Sequence, residues 1–309
     1  LSRRKRHQHK LLLGLILVVL VTTALIYRHQ IQATSTNSTT TSSTSTTKTV
    51  VTKVAQKLTT NKSSTVTKKA AQLKNAWQKI LATTNSRVEI AVYDQNTDHT
   101  YQLANVNATT AIKTASIVKV SVLTELLKQN MAGTLTLNST DEAYAKQMIT
   151  ESDNNATTYL LSNRLGGNTS IQNVFADLKM TNSTANAAAW CYTTTTASDQ
   201  LKLLNAIYYN DDNYLATNSR AYIKNLMAAV DTSQDWGVSA GATSYQVKNG
   251  WLDDQDGSWI INSIGHISAT STDDADYTIA ILTDQNTSES SGITLIEQLA
   301  KVTNTILNS

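Results

Sequence analysis

The sequence predicts an α+β domain: one antiparallel sheet flanked by N- and C-terminal helices, with a helical lobe. Three observations predict it. Strand-like runs lie at both ends of the folded part, helical periodicity fills the stretch between them, and an amphipathic helix opens and closes the whole. Leu73, Trp77, Ile80 and Leu81 recur at helical spacing and give the opening helix. Residues 88–94 and 101–104 read as strands joined by an Asp-Gln-Asn-Thr turn. Helical character then runs from about residue 116 to residue 230. Strands return at 245–252, 259–269 and 277–283, with Asp256-Gly257 as a hairpin turn. Leu295, Leu299, Val302 and Ile306 fall on one face of the closing helix.

Charge divides the 309-residue chain. Residues 1–87 hold 15 of the 26 Lys and Arg and none of the acids; residues 88–309 hold 11 basic residues against all 23 acids, a net charge of −12. A folded part this acidic repels phosphates, which argues against nucleic acid as a partner. Arg3, Arg4, Lys5, Arg6 and Lys10 precede an uncharged run of 17 residues, 11–27. That is the short end of what crosses a bilayer as a helix, and the positive flank sets the N-terminus inside. The expected organisation is a cytoplasmic basic tail (1–10), a transmembrane signal-anchor (11–27), a disordered, cationic Ser/Thr-rich stalk (28–67) and an extracytoplasmic domain (68–309). A cleaved signal peptide, which would leave the domain secreted, is the competing reading of the anchor. In the stalk, 14 of the 17 residues 34–50 are Ser or Thr. The lysines that follow suit either a solvated spacer or docking on an anionic cell-wall polymer. The lone Cys191 excludes an internal disulfide and reads as a semi-buried side chain.

Three short elements carry chemistry. In Ser116-Ile117-Val118-Lys119, at the start of a helix, positions three apart share a face, so the Lys119 amine can take the Ser116 proton if burial keeps it neutral. Ser152-Asp153-Asn154 supplies a hydroxyl and an amide two residues apart, one to relay protons and one to grip a substrate amide; taken alone it also reads as a helix cap. Lys248-Asn249-Gly250-Trp251 lies in a strand, where Lys248 offers positive charge and Gly250 a close approach to backbone; taken alone it also reads as a solvent-facing Lys before a bulge. Each is weak by itself, and the order of the three is the specific signal.

In that order they resemble the S-x-x-K, S-D-N and K-T-G set of class A β-lactamases and penicillin-binding proteins. Residues 111–116, 148–156 and 193–197 are similar to the family's surroundings of those motifs, and the resemblance covers residues 70–309. It implies a β-lactamase/transpeptidase-like fold and a serine hydrolase working through an acyl-enzyme, on β-lactams or D-Ala-D-Ala-type peptidoglycan stem peptides. Carried over residue by residue, Ser116 is acylated, Lys119 is the general base and Ser152 passes a proton to the leaving nitrogen. Asn154 holds the acyl amide. Lys248, with Asn249 and Gly250 beside it, helps bind the substrate carboxylate, and the N–H groups of Ser116 and Trp251 form the oxyanion hole. No cofactor and no metal is implied.

The sequence departs from the family in three places. Asn249 stands where the family has Thr or Ser. The stretch from Lys119 to Ser152 looks shorter than in class A enzymes, which implies a trimmed wall of the cleft. Residues 180–198 contain no Asp or Glu, where the family has a Glu that activates the deacylating water, and Trp190-Cys191-Tyr192 occupies the approach. Slow deacylation towards β-lactams follows; Asp177 and Asp199 are candidate substitutes, but neither sits where the family's Glu would. The alternatives are a non-catalytic wall-binding module and a serine esterase or amidase on the same fold. His266 reads as a strand residue rather than a catalyst.

Overall fold

The computed structural model describes residues 44–105, 110–210, 213–254 and 256–309. The expected tail, the anchor at 11–27 and residues 28–43 of the expected stalk lie outside the described residues. Among the described residues, no helix is long and apolar enough to cross a membrane. The chain divides into two compact units, up to Thr59 and from Thr60 onward. In the first, the described residues are helical from Thr44; the second carries the sheet, the lobe and the remaining helices.

Helix α1 spans Thr44–Leu81 and so takes in residues that composition assigns to the stalk. No Gly or Pro interrupts it, and a helix nucleated where Val66, Ala70, Leu73 and Trp77 pack needs only propagation to extend upstream. Strands β1 (Arg87–Asp94) and β2 (His99–Ala104) follow, then the two-residue β3 (Ile112–Lys113). The lobe comprises α2 (Val118–Ala132), α3 (Ser139–Thr150), α4 (Asn154–Tyr159), α5 (Gln172–Asp177), the short β4 (Thr194–Thr195), α6 (Ala197–Tyr208) and α7 (Thr217–Ala228). Strands β5 (Tyr245–Asp253), β6 (Trp259–Ile267) and β7 (Tyr277–Asn286) and helix α8 (Glu289–Leu307) close the chain. The sequence reads 116–230 as continuously helical; the structure breaks it into short helices with strand β4 among them, paired with β3 from before the stretch. Gly166 and Gly167, both at positive φ, and the Thr/Asn/Ala-rich stretch before β4 supply the breaks.

The five-stranded sheet has the order β2-β1-β7-β6-β5, antiparallel throughout. Its central strands are apolar on both faces because both faces are covered. Val88, Ile90, Val92, Ile261, Ile279 and Ile281 pack with Leu73, Trp77 and Leu299 of the terminal helices. Ala91, Ile260, Ile264, Ala280 and Leu282 pack with the lobe, around Ile117, Val120 and Leu123. Alternation along each strand makes the division. The pairing of β1 with β7 brings the two ends of the domain together, where Lys69 Nζ donates to the Leu307 carbonyl (2.6 Å) and the Trp77 indole to Thr303 Oγ1 (2.9 Å). Helix α2 is buried without a break from Val118 to Leu127, as a helix through the middle of a lobe must be.

Candidate active site

Ser116 sits in a single 3₁₀ turn, Ala115–Ile117, leading directly into α2. Ala115 before it has φ +47°, a left-handed conformation that a residue with a Cβ adopts at a cost. The neighbours hold it there. Thr114 N–H donates to the Thr193 carbonyl (2.7 Å), and the buried Asn262 amide of β6 donates to the carbonyls of Lys113 (2.8 Å) and Thr114 (3.1 Å). From β5, Gly250 comes so close that a Cβ on it would stand 2.6 Å from Ser116 N and 2.8 Å from Ile117 N. This is why glycine follows Lys248 and Asn249: any side chain would strike the backbone of the nucleophile's turn.

Lys119 is fully buried. Its amine lies 2.9 Å from Ser116 Oγ, 2.7 Å from the Ser152 carbonyl, 3.1 Å from Ser152 Oγ and 2.8 Å from Asn154 Oδ1. Burial pushes the amine down from 10.5 to about 7, against the opposing pull of Asp153 and Cys191. The partners suit a neutral amine. A carbonyl and an amide oxygen can only accept, so they take its two N–H groups and leave the lone pair for a hydroxyl. Ser152 can offer carbonyl and hydroxyl to one amine because it too is left-handed, at φ +55°. Asp153 then caps α4 through Ala156 N–H at 2.6 Å, so the helix-cap reading of this motif holds for its middle residue.

Lys248 is equally buried, and donates to Ser152 Oγ (2.9 Å) and to the Asn249 carbonyl (3.1 Å). Burial first, and Lys119 second, hold it well below the usual ammonium range. Both alternative readings of the tetrapeptide, a solvent-facing lysine and a bulge, therefore fail: β5 pairs with β6 in continuous register from Tyr245 to Asp253. Alternation separates its residues. Lys248 and Gly250 face the nucleophile, whereas Asn249 faces away, fully buried, with both amide hydrogens given to the carbonyls of Gln234 and Trp236 at 2.8 Å. The sequence expectation that Asn249 meets the substrate is corrected accordingly: no N–H is left, and its work is to hold the segment 234–237 against β5. Gln234 in turn donates to the Glu151 carbonyl (3.1 Å), tying that segment to the approach to Ser152. Trp251 is half-buried and lies against Trp236, ring centroids 5.9 Å apart.

On the lobe side, Trp190 opens the 3₁₀ turn Trp190–Tyr192. Its ring covers Lys119 Nζ at 5.0 Å, and its indole N–H points to Thr158 Oγ1 on α4 at 3.3 Å. Cys191 is half-buried, as expected, and burial pushes its thiol up. Asp177 and Asp199 are engaged elsewhere. Asp177 pairs with Lys128, and the buried Asp199 accepts from Asn182 N–H (2.8 Å) and Ser183 Oγ (2.9 Å) and pairs with Lys202. His266 lies in β6 between Gln246 (2.7 Å) and Asp276 (2.8 Å), stacked on Tyr208, and belongs to the sheet packing. Sequence reasoning passed over Asn262, and noticed Trp190 only as an occupant of the approach; the acid-free stretch was the available signal for Trp190.

A family model described as the β-lactamase enzyme family matches residues 72–143 and 140–307. No curated protein matches the chain. Among solved structures, a representative of class A β-lactamase from Bacteroides cellulosilyticus DSM 14838 is similar at 16% identity, covering 78% of this chain and 98% of its own, TM-score 0.66. TLA-1 extended-spectrum β-lactamase is similar at 19% identity, covering 78% and 99%, TM-score 0.67. PBP-A is similar at 18% identity, covering 76% and 95%, TM-score 0.65. At these identities the structures speak for the fold.

Proposed function

The chain belongs to the β-lactamase enzyme family, and from that premise we propose that it is a serine acyl-transfer enzyme that opens β-lactams or D-Ala-D-Ala-type peptides at Ser116 and releases the acyl group slowly. The observation that carries this is the Lys119 amine, buried, lowered to about 7 so that a large fraction is neutral at pH 7, and 2.9 Å from the Ser116 hydroxyl. In the proposed reaction the Ser116 proton passes to Lys119 as Oγ bonds to the substrate carbonyl carbon. The developing oxyanion turns to the N–H groups of Ser116 and Trp251. The C–N bond then breaks, and the nitrogen takes a proton through Ser152 Oγ, which Lys119 and Lys248 approach to 3.1 and 2.9 Å. An ester on Ser116 remains. Asn154 gives its Oδ1 to Lys119 and keeps its N–H₂ for the acyl amide of the substrate.

Deacylation needs a water and a base to activate it. Residues 180–198 hold no carboxylate, the flanking Asp177 and Asp199 are engaged elsewhere, and Trp190 lies over Lys119. PBP-A supports the comparison, since a variant of it is known as an acyl-enzyme complex with penicillin G. We place the reaction outside the membrane, the chain tethered through residues 11–27, on the strength of the basic flank and uncharged run. Intact-mass spectrometry of residues 60–309 with penicillin G, beside Ser116→Ala, tests the chemistry. The expected result is a lasting adduct in the parent alone. Rapid loss of the drug without an adduct would refute slow release. Neither adduct nor drug loss would remove β-lactams from the substrate class and leave an ester substrate or a wall-binding module.

A further inference from the structure

The acyl-transfer reading rests on Lys119 being neutral, and burial is the largest cause of its low affinity for a proton. Most of its surroundings are polar: Ser116, Ser152 and Asn154 lie within 3.1 Å. The charges that face it divide between helping and opposing. Asp153 at the start of α4 and Cys191 on the 3₁₀ turn favour the ammonium, and Lys248 shares its partner Ser152 Oγ from β5. The apolar cover comes from the lobe side, where the Trp190 indole stands 5.0 Å from Nζ and is anchored to Thr158. We propose that Trp190 is a positioning residue for acylation: its indole roofs the Lys119 amine, keeps water from it and holds it on Ser116.

Two effects of the ring oppose each other. A π face attracts an ammonium and so favours protonation; shutting out water disfavours it. Burial is the leading cause of the amine's fall from 10.5 to about 7, and the indole at 5.0 Å is part of that cover; in this proposal its exclusion of water outweighs its attraction for the ammonium. Opening the roof therefore raises the pH at which Lys119 becomes a base.

This inference builds on the acyl-transfer reading, and one experiment separates the two. Acylation rates of the full chain, its Trp190→Ala variant and its Trp190→Phe variant are measured from pH 5.5 to 9.5 with penicillin G, and in parallel with p-nitrophenyl acetate. Trp190→Ala is expected to move the midpoint of the acid limb up from about 7 by about one pH unit, giving roughly fivefold slower acylation at pH 7 that recovers above pH 9. Trp190→Phe keeps a ring over the amine and is expected to stay near the parent, which also covers the case in which the alanine variant fails to fold. A uniform loss at every pH, or an unmoved midpoint in Trp190→Ala, would overturn the positioning role alone. No acylation of the parent by either reagent would overturn the acyl-transfer reading and this inference with it.

Discussion

At the scale of single residues, the same burial that makes Lys119 useful has a stability consequence elsewhere. Glu89 on β1 is almost completely enclosed; its Oε2 accepts from Ala197 N–H at 3.0 Å, and its Oε1 makes no hydrogen bond. Burial pushes its carboxyl up from 4.5 to about 7, against the pull of the Ala197 N–H and Arg87. The folded state thus keeps the proton to higher pH than the unfolded chain does. Folding takes up a proton between pH 4.5 and 7, so stability from this group falls across that window and levels off above it. Lys119 acts in the opposite sense and at higher pH, because the folded state sheds its proton first and gains stability between about 7 and 10.5. Glu89→Gln keeps an acceptor for Ala197 and removes the titration. After allowance for solvent screening it is expected to be about 1–2 kcal/mol more stable than the parent at pH 8, and little different at pH 4.5. Urea midpoints of both proteins at the two pH values measure this; a difference that ignores pH would refute it.

At the scale of elements, β5 shows how one strand serves two purposes. Its even-numbered residues 248 and 250 face Ser116; on the opposite face Val247 and Trp251 join the apolar cluster of the terminal helices, and Asn249 holds the carbonyls of Gln234 and Trp236. Gly250→Ala would set a Cβ 2.6 Å from Ser116 N, 2.8 Å from Ile117 N and 2.9 Å from the Thr114 carbonyl. All three are backbone atoms, so the turn itself must shift. The expected cost is about 1–3 kcal/mol, with acylation slower by about 10²-fold because a displacement near 1 Å spoils the attack geometry. Thermal melts and adduct formation with penicillin G check the two parts; parent-like acylation would show that the close approach is not needed. The strand also marks what the sequence discloses. Helical spacing brings Ser116 and Lys119 together, and the sequential order of the three motifs brings Ser152 and Lys248 to them. Period-two alternation could have turned Asn249 away as well, but only once the face of the strand was known. Asn262 behind Thr114 and Trp190 over Lys119 were not legible, because they meet the site through contacts between distant segments. The two-stranded β3–β4 ladder was missed for a similar reason: two residues are too few for a periodic signal.

At the scale of the whole domain, the sheet separates the part that reacts from the part that stabilises. Lobe and nucleophile pack on one face, around Ile117, Val118 and Leu123. On the other face α1 and α8 close over Val88, Ile90, Ile279 and Ile281. Trp77 is the largest side chain there, fully buried and hydrogen-bonded through its indole to Thr303. Trp77→Ala would empty that volume and leave the Thr303 hydroxyl without its donor. The expected loss is about 3–5 kcal/mol, a fall in Tm on the order of 10 °C for a domain of this size. Chemistry should be spared. Among the described residues, none of the groups within hydrogen-bonding distance of Ser116 Oγ or Lys119 Nζ belongs to α1 or α8, and the central strands between the two faces are held by their own ladder. Acylation of Trp77→Ala by penicillin G, measured well below its lowered Tm, is therefore expected to match the parent, with the same pH profile. A slower rate at such temperatures, parallel to the lost stability, would mean that the sheet transmits packing from the terminal helices to Ser116 and is part of the catalytic scaffold rather than a partition behind it.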